Sequence, residues 1–370
     1  MSLPYYIDFE KIKANEDLND NYYHVLNDII AYPDAWCYIV WSRRGPGKTY
    51  SNLWSSYYLG IKNVYVKRTK DDIDFISMNP DNSPYAPLVR DKGIKVSLSS
   101  LGNGIAGIYN SEYDENNLLK PVGNPFSIAV SLNHIKAIKG FEASDYEWIT
   151  LDEFIPQAGE VIKKKEGEMV LDLYMTCQRD RLDRGLPPQK LILFANAEEI
   201  STPITRTLEV IDEMALLNFS GNTHMYLEER GILLHHITND EYPVSDQAKK
   251  GIYMGMAGTA WAQKSFEGLF TNNDFSRVRK VNLKGYKCIA RIIYKSKDIY
   301  MYERRGQYYL CYTKQTYHMD TYNFNEEAEV KRFYFDYYVE LSNALVDNKC
   351  FFSNYSIYDL ITRFKKYFTV

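Results

Sequence analysis

The chain has 370 residues, 45% of them hydrophobic and 25% charged, with a formal net charge of −4. At roughly 100–200 residues per domain this length predicts two domains or three, and the composition excludes a disordered chain, a collagen-like fibre and a coiled-coil rod. The slight acidity excludes a global basic field, so any contact with nucleic acid has to come from local patches. The 33 tyrosines follow no fixed period.

The opening MSLPYYIDFEKIK carries early acids and no long apolar core, so it is not expected to act as a signal peptide. No apolar run reaches about 18 residues, so no membrane span is expected. Cys37, Cys177, Cys288, Cys311 and Cys350 form no CxxC pair. An odd, widely spaced set fits free thiols in a reducing cytoplasm better than a structural zinc site.

In chain order, residues 5–32 predict a helical approach segment that stops at Pro33-Asp34. The wholly apolar run 37–41 reads as a strand buried on both faces. It leads into Ser42-Arg43-Arg44-Gly45-Pro46-Gly47-Lys48-Thr49, then a helix ending near Gly60, then a strand at 63–67, which together make one βαβ unit. Residues 79–127, rich in Pro, Asn, Ser and Gly, predict a hairpin-bearing insertion. Strands follow at 147–151, closed by Asp152-Glu153, and at 190–194, ending at Asn196, with a helix over 168–182 between them. Residues 240–265 predict a linker with a helix. Strands at 286–294, 299–304 and 307–313 precede a helix over 325–346, with Asn325 as its N-cap.

The pattern G-x-x-x-x-G-K-[ST] makes a turn whose backbone N–H groups wrap phosphates, whose lysine neutralises their oxygens and whose hydroxyl ligates magnesium. Residues 42–49 match it except that Ser42 replaces the first glycine. Strand before and helix after are the context the motif requires, and they argue against a chance Gly-Lys-Thr. Asp152 ends a buried strand, where a carboxylate can hold the magnesium shell, and Glu153 beside it suits deprotonation of an attacking water. Two exposed loop acids are the plain alternative. Asn196 is placed to contact the γ-phosphate or the water, or to serve as an ordinary turn residue. Arg179 and Arg181 precede that strand, where they would make either a trans-acting arginine or a solvated helix end.

Taken together, SRRGPGKT, WITLDEF and LILFANA resemble the DNA-packaging ATPases of phi29-like bacteriophages, within the clan of ring translocases that includes terminase large subunits. The likeness covers most of residues 35–215 and extends more loosely to the C-terminal part. It implies an ASCE P-loop ATPase using ATP and Mg²⁺, with Lys48 and Thr49 as the Walker A pair, Asp152 as the Walker B aspartate and Glu153 as the catalytic glutamate. It further implies Asn196 as a coupling residue. The pattern Thr176-Cys177-Gln178-Arg179-Asp180-Arg181 makes Arg179 the first choice of arginine finger and Arg181 the second. Lys139, in Ile138-Lys139-Gly140, matches the trans-acting lysine.

Terminases carry an RNase H-like nuclease after the motor, and two-metal cleavage needs converging carboxylates. Residues 281–297 contain no Asp or Glu, and residues 277–305 contain ten Lys/Arg against two acids, a net of +8. Alternation would put Lys287, Arg291 and Lys295 on one strand face, which predicts a surface that binds phosphate backbones instead of cutting them. A basic, solvated edge strand is the plain alternative. This resembles the vestigial nuclease domain of the phi29-like family. Lys163, Lys164 and Lys165 would line a ring pore or simply be solvated.

The expected fold is an α/β P-loop motor domain with a central parallel sheet over 1–239, a linker over 240–274 and a small α+β, RNase H-like domain without catalytic acids over 275–370. The expected function is ATP-driven translocation of double-stranded DNA into a procapsid, with hydrolysis at subunit interfaces of a homomeric ring. By the resemblance that ring is a pentamer docked on the portal of the procapsid in the host cytoplasm, with or without a packaging RNA as a further partner, and no membrane is expected. The rival readings are another P-loop motor, such as a helicase or recombination ATPase, and a nucleotide-binding assembly scaffold. A small-molecule kinase is a weaker rival, since no acceptor-binding lid is evident.

Overall fold

The computed structural model describes residues 22–134, 143–157, 159–160, 162–244, 250, 252–270, 273–314 and 319–368. Two units emerge: Met1–Leu208 with Leu216–Asn272, and Glu209–Ala215 with Asn273–Val370. The segment expected as a linker over 240–274 therefore belongs, up to Asn272, to the first unit.

The first unit contains α1 (Val25–Ala31), β1 (Cys37–Ser42), α2 (Lys48–Leu59), β2 (Asn63–Lys67), α3 (Lys70–Met78), α4 (Ala86–Lys92), β3 (Val96–Gly102), β4 (Ile105–Tyr113), β5 (Leu119–Pro121), β6 (Ser127–Ser131) and β7 (Trp148–Leu151). It continues with α5 (Glu166–Gln178), β8 (Lys190–Asn196), α6 (Pro203–Thr207), α7 (Ile211–Ser220, whose first residues belong to the second unit), β9 (His224–Leu227), β10 (Ile232–His236), α8 (Ile252–Met256) and α9 (Ala260–Ala262). The sheet order is β3-β4-β6-β2-β7-β8-β1-β10-β9.

Six strands, from β6 to β10, run parallel. Every residue of β1, β6, β7 and β10 is buried, which is why they are mostly apolar, with serines at both ends of β6 and two histidines at the end of β10. The sheet is mixed rather than parallel throughout, because the hairpin β3–β4 adds antiparallel to β6 and β9 adds antiparallel to β10. The segment expected to be an insertion is thus an extension of the sheet. A buried polar cluster ties α2 to the sheet: Thr150 Oγ1 donates to Asn63 Oδ1 (3.0 Å), and Asn63 Nδ2 donates to Asn52 Oδ1 (3.1 Å). The helix expected over 168–182 stops at Gln178, where Arg179 takes a positive φ of 26°.

The second unit holds β11 (Lys287–Tyr294), β12 (Lys297–Arg304), β13 (Gln307–Cys311), β14 (Asp320–Asn323), α10 (Glu327–Phe333), α11 (Val339–Val346), β15 (Cys350–Phe352), α12 (Tyr355–Thr362) and α13 (Phe364–Tyr367). Its sheet order is β14-β11-β12-β13-β15. Ala290, Ile292, Met301 and Leu310 face Phe333, Leu341, Leu360 and Phe364 of the helices, so one sheet face carries the helical layer. A π-helical turn at Tyr334–Tyr338 joins α10 to α11. Asn325 does not cap this helix, since Glu326 holds the N-cap position. Its carboxamide instead accepts from the Lys295 backbone N–H (3.1 Å).

Gly167 marks a close crossing. A Cβ there would lie 2.5 Å from the Pro203 carbonyl oxygen and against the Thr207 side chain. In an open helix Gly→Ala gains about 1 kcal/mol. Here Gly167→Ala is expected to lose about 1–3 kcal/mol through overpacking of α5 on α6. The measurement is urea unfolding, where the midpoint should fall with an unchanged slope.

Candidate active site

Parallel sheets place their sites beyond the carboxyl ends of the strands. Here β1 ends at Ser42, β2 at Lys67, β7 at Leu151 just before Asp152, and β8 at Asn196, with Ser42 in register with Asn196 and Val66 with Leu151. The turn after β1 is held open by Gly47, the N-cap of the twelve-residue α2, whose φ of 97° is closed to side chains. Residues 44–50, Asp152, Glu153, Ala195 and Asn196 line one pocket of about 360 Å³.

Lys48 is 8% exposed. Its ammonium donates to Ser42 Oγ, to the Arg43 carbonyl (3.3 Å) and to Asn196 Oδ1 (3.4 Å). Burial pulls its pKa down to about 7, against the opposing pull of Asp152 and with a further push from Arg43. Thr49 Oγ1 donates to Asp152 Oδ1 at 3.0 Å. A hydroxyl and a carboxylate this close are the hard oxygen donors that magnesium takes.

Three features escaped the sequence reading. Lys67 donates to Asp152 Oδ2 (3.2 Å) and Glu153 Oε2 (3.4 Å); burial lowers its pKa, but the two carboxylates outweigh this and the net shift is upward. Tyr65 donates its hydroxyl to Asp152 Oδ2 (2.8 Å). Arg68, 8% exposed, pairs with Glu160 (2.5 Å) and Glu166 (3.2 Å) and donates to the backbone carbonyls of Glu153 (3.2 Å) and Phe154 (3.1 Å). Glu153 itself sits at φ 58°, a left-handed conformation uncommon for Glu, so Arg68 braces a strained turn. The signal available beforehand was the basic pair Lys67-Arg68 at the end of a strand.

Other expected residues fall elsewhere. Ser42 and Arg43 are not part of the pocket lining: Ser42 lies fully buried beneath Lys48, and the Arg43 guanidinium turns to Asn239 Oδ1 (2.8 Å) and the Tyr242 carbonyl (3.0 Å). Behind the turn, Gly268 packs so closely that a Cβ would lie 2.5 Å from the Arg43 backbone nitrogen. Lys139 lies outside the described residues.

Arg179 and Arg181 separate cleanly. Arg181 is fully buried, donating to the Pro187 carbonyl (2.6 Å) and the Ser144 carbonyl. That burial leaves it no reach to another subunit. Arg179 is exposed at the end of α5, near the start of β8, where Gln178 Oε1 accepts from the Gln189 N–H. Asn196 is at the other end of that strand, about 20 Å away at roughly 3.3 Å per residue. Arg179 thus lies by the end of β8 opposite to the one that meets the pocket.

Lys163, Lys164 and Lys165 are exposed just before α5. The basic strand departs from expectation. A bulge between Cys288 and Ala290 inverts the alternation, so Arg291 shares a face with its register partner Tyr300, while Lys287, opposite Glu303, lies on the other face. Lys295 falls in the turn after β11 at φ 53°. Arg291 also pairs with Asp298 at 2.7 Å. The three residues therefore form no single basic face.

Among the described residues no helix is long and apolar enough to cross a membrane. No protein-family model matches the chain, and no curated protein matches its sequence. Its fold is similar to that of the Phi-28 gp11 DNA packaging motor, at 15% identity and a TM-score of 0.59, covering 95% of this chain and 99% of that one. It is also similar to the bacteriophage Phi-29 viral genome packaging motor assembly, at 16% identity and a TM-score of 0.60, covering 94% of this chain and 99% of that one. At these identities the likeness establishes a shared fold along nearly the whole chain.

Proposed function

We propose that the protein is an ATPase motor that drives double-stranded DNA into a preformed viral capsid, working as a homomeric ring at the portal vertex in the host cytoplasm. One conjunction carries this reading. Gly47-Lys48-Thr49 and Asp152-Glu153 open onto a single pocket, in a chain whose fold parallels two phage packaging motors along at least 94% of its length. A strand, β8, lies between β1 and β7, and a glutamate follows Asp152; both support the ASCE division of P-loop ATPases.

In this reading the terminal phosphates of ATP lie against the Lys48 ammonium and the N-terminus of α2. Thr49 and Asp152 would hold Mg²⁺, which would supply positive charge to offset that of the phosphates. Glu153 accepts the proton of the attacking water. Lys67 and Arg68 orient that glutamate, one by its carboxylate and one by its backbone. Asn196, already bonded to Lys48, is placed to couple the state of the phosphates to the end of β8. Arg179, near the end of β8 remote from its own pocket, acts on a neighbour's, and Lys139 joins it as a second trans cation. This arrangement requires a ring, for which the family's pentamer is the proposed number.

The second unit is proposed as an RNase H-like relic that binds nucleic acid, either DNA or a packaging RNA. Its mixed sheet with one helical face and its acid-free β11 support this. Its basic residues would act from several faces. Lys163–Lys165 would touch DNA from the exposed segment before α5.

The decisive experiment is phosphate release by the purified protein with and without DNA, alongside its mass in solution. DNA-stimulated release by an oligomer is expected. No release under any condition overturns the motor in favour of a nucleotide-binding scaffold, and strand separation by the protein would point to a helicase.

Glu153→Gln is expected to lower turnover by about 10²–10⁴-fold while nucleotide binding persists. Unchanged turnover removes Glu153 from its role. In mixtures with wild-type chains, Arg179→Ala should reduce activity more steeply than its dose, and a simple proportional fall contradicts a trans role. Arg181→Ala should instead lower thermal stability, because its loss orphans the Ser144 and Pro187 carbonyls.

A further inference from the structure

Asp28 is a carboxylate 4% exposed, and its surroundings are imidazole. Its Oδ1 lies 3.2 Å from His224 Nε2 and its Oδ2 lies 2.9 Å from His235 Nδ1, with the Tyr23 hydroxyl donating to Oδ2 at 2.9 Å. The two histidines are register partners across the antiparallel β9–β10 ladder, their rings stacked with centroids 3.8 Å apart. One donor atom from each of Asp28, His224 and His235 lies within 4.8 Å of the other two. Tetrahedral zinc, with bonds of about 2.0–2.1 Å, spaces its ligands by about 3.3 Å.

The outer nitrogens are oriented as well. Glu241 Oε2 lies 3.5 Å from His235 Nε2, its Oε1 lies 3.9 Å from His224 Nδ1, and Thr223 Oγ1 lies 2.9 Å from that same nitrogen. A carboxylate on the far nitrogen of a ligating histidine is the outer arrangement that fixes ring orientation and raises basicity in zinc sites. The His224 side chain is 28% exposed, which gives an ion a way in and leaves a position for water.

We infer that Asp28, His224 and His235 form a zinc-binding site, with Glu241 beside the far nitrogen of His235 and Thr223 bonded to that of His224. Two imidazoles and one carboxylate are a donor set that zinc favours over magnesium or calcium. The site joins α1 to β9 and β10, and each side of it leads to the glycine turn. Just before α1, the Tyr23 backbone N–H donates to the Pro46 carbonyl (2.9 Å). After β10, Asn239 and Tyr242 hold the Arg43 guanidinium. Zinc there fastens both supports of the turn to each other.

The test uses full-length protein without a histidine tag, stripped with chelator and titrated with Zn²⁺ against a chromophoric competitor. The wild type is expected to hold about one zinc per chain, as a protein with one built site does. Co²⁺ in its place should give the visible absorption of a tetrahedral centre. His224→Ala, at the edge strand, should abolish that uptake while circular dichroism stays native. Glu241→Gln, which removes no ligand, should weaken uptake by about 10–100-fold and serves as the test should His224→Ala fail to fold. Asp152→Asn should leave uptake intact, separating this site from the nucleotide pocket. No saturable zinc uptake by the wild type, uptake unchanged in both cluster variants, or uptake lost in Asp152→Asn overturns the site.

Discussion

The molecule's organisation turns on one buried ammonium. Lys48 sits where burial depresses its pKa to about 7, held by a serine hydroxyl, a backbone carbonyl and the amide of Asn196. A cation stripped of water and given only neutral partners is poised for an anion. Phosphate oxygens are the anions that a glycine turn at a helix N-terminus is shaped to take. The rest of the site answers that charge: Asp152 and Glu153 face it across the pocket, and Lys67 and Arg68 keep those two acids in place.

The scaffold explains why these residues meet. Six parallel strands bring their carboxyl ends to one edge, so residues far apart in sequence arrive together because each directly follows a strand. The surrounding loops then restrain the turn after β1. Gly268 presses on its backbone, and Arg43 anchors it to residues 239 and 242. A segment that looks like linker by composition thus packs behind the turn and supports it.

What was legible in the sequence is what chemistry writes locally. Gly-Lys-Thr after an apolar run, an acid pair ending another and an asparagine ending a third all mark strand ends, and the fold gathers them. What was not legible depends on neighbours that the local sequence does not name. Lys67 and Arg68 matter because β2 lies beside β7, a fact of sheet order. The strands β6 and β10 give a weak local signal, because one is a short Ile-Ala-Val stretch between serines and the other ends in two histidines. A single bulge beside Cys288 separated Lys287 from Arg291, and alternation arguments assume that no such bulge exists. The burial of Arg181, two residues past the first-choice Arg179, likewise depends on neighbours that the local pattern does not name.

The span from Arg179 to Asn196, one strand long, bears on how the protein would behave when dilute. In the proposed reading, with Arg179 acting in trans, an isolated chain would have a full set of binding groups and an incomplete set for turnover. In the proposed ring, rate per molecule therefore becomes a property of association, rising with protein concentration until neighbours are permanent. A scaffold such as a portal, by holding chains side by side, would act as an activator without touching a single reacting atom.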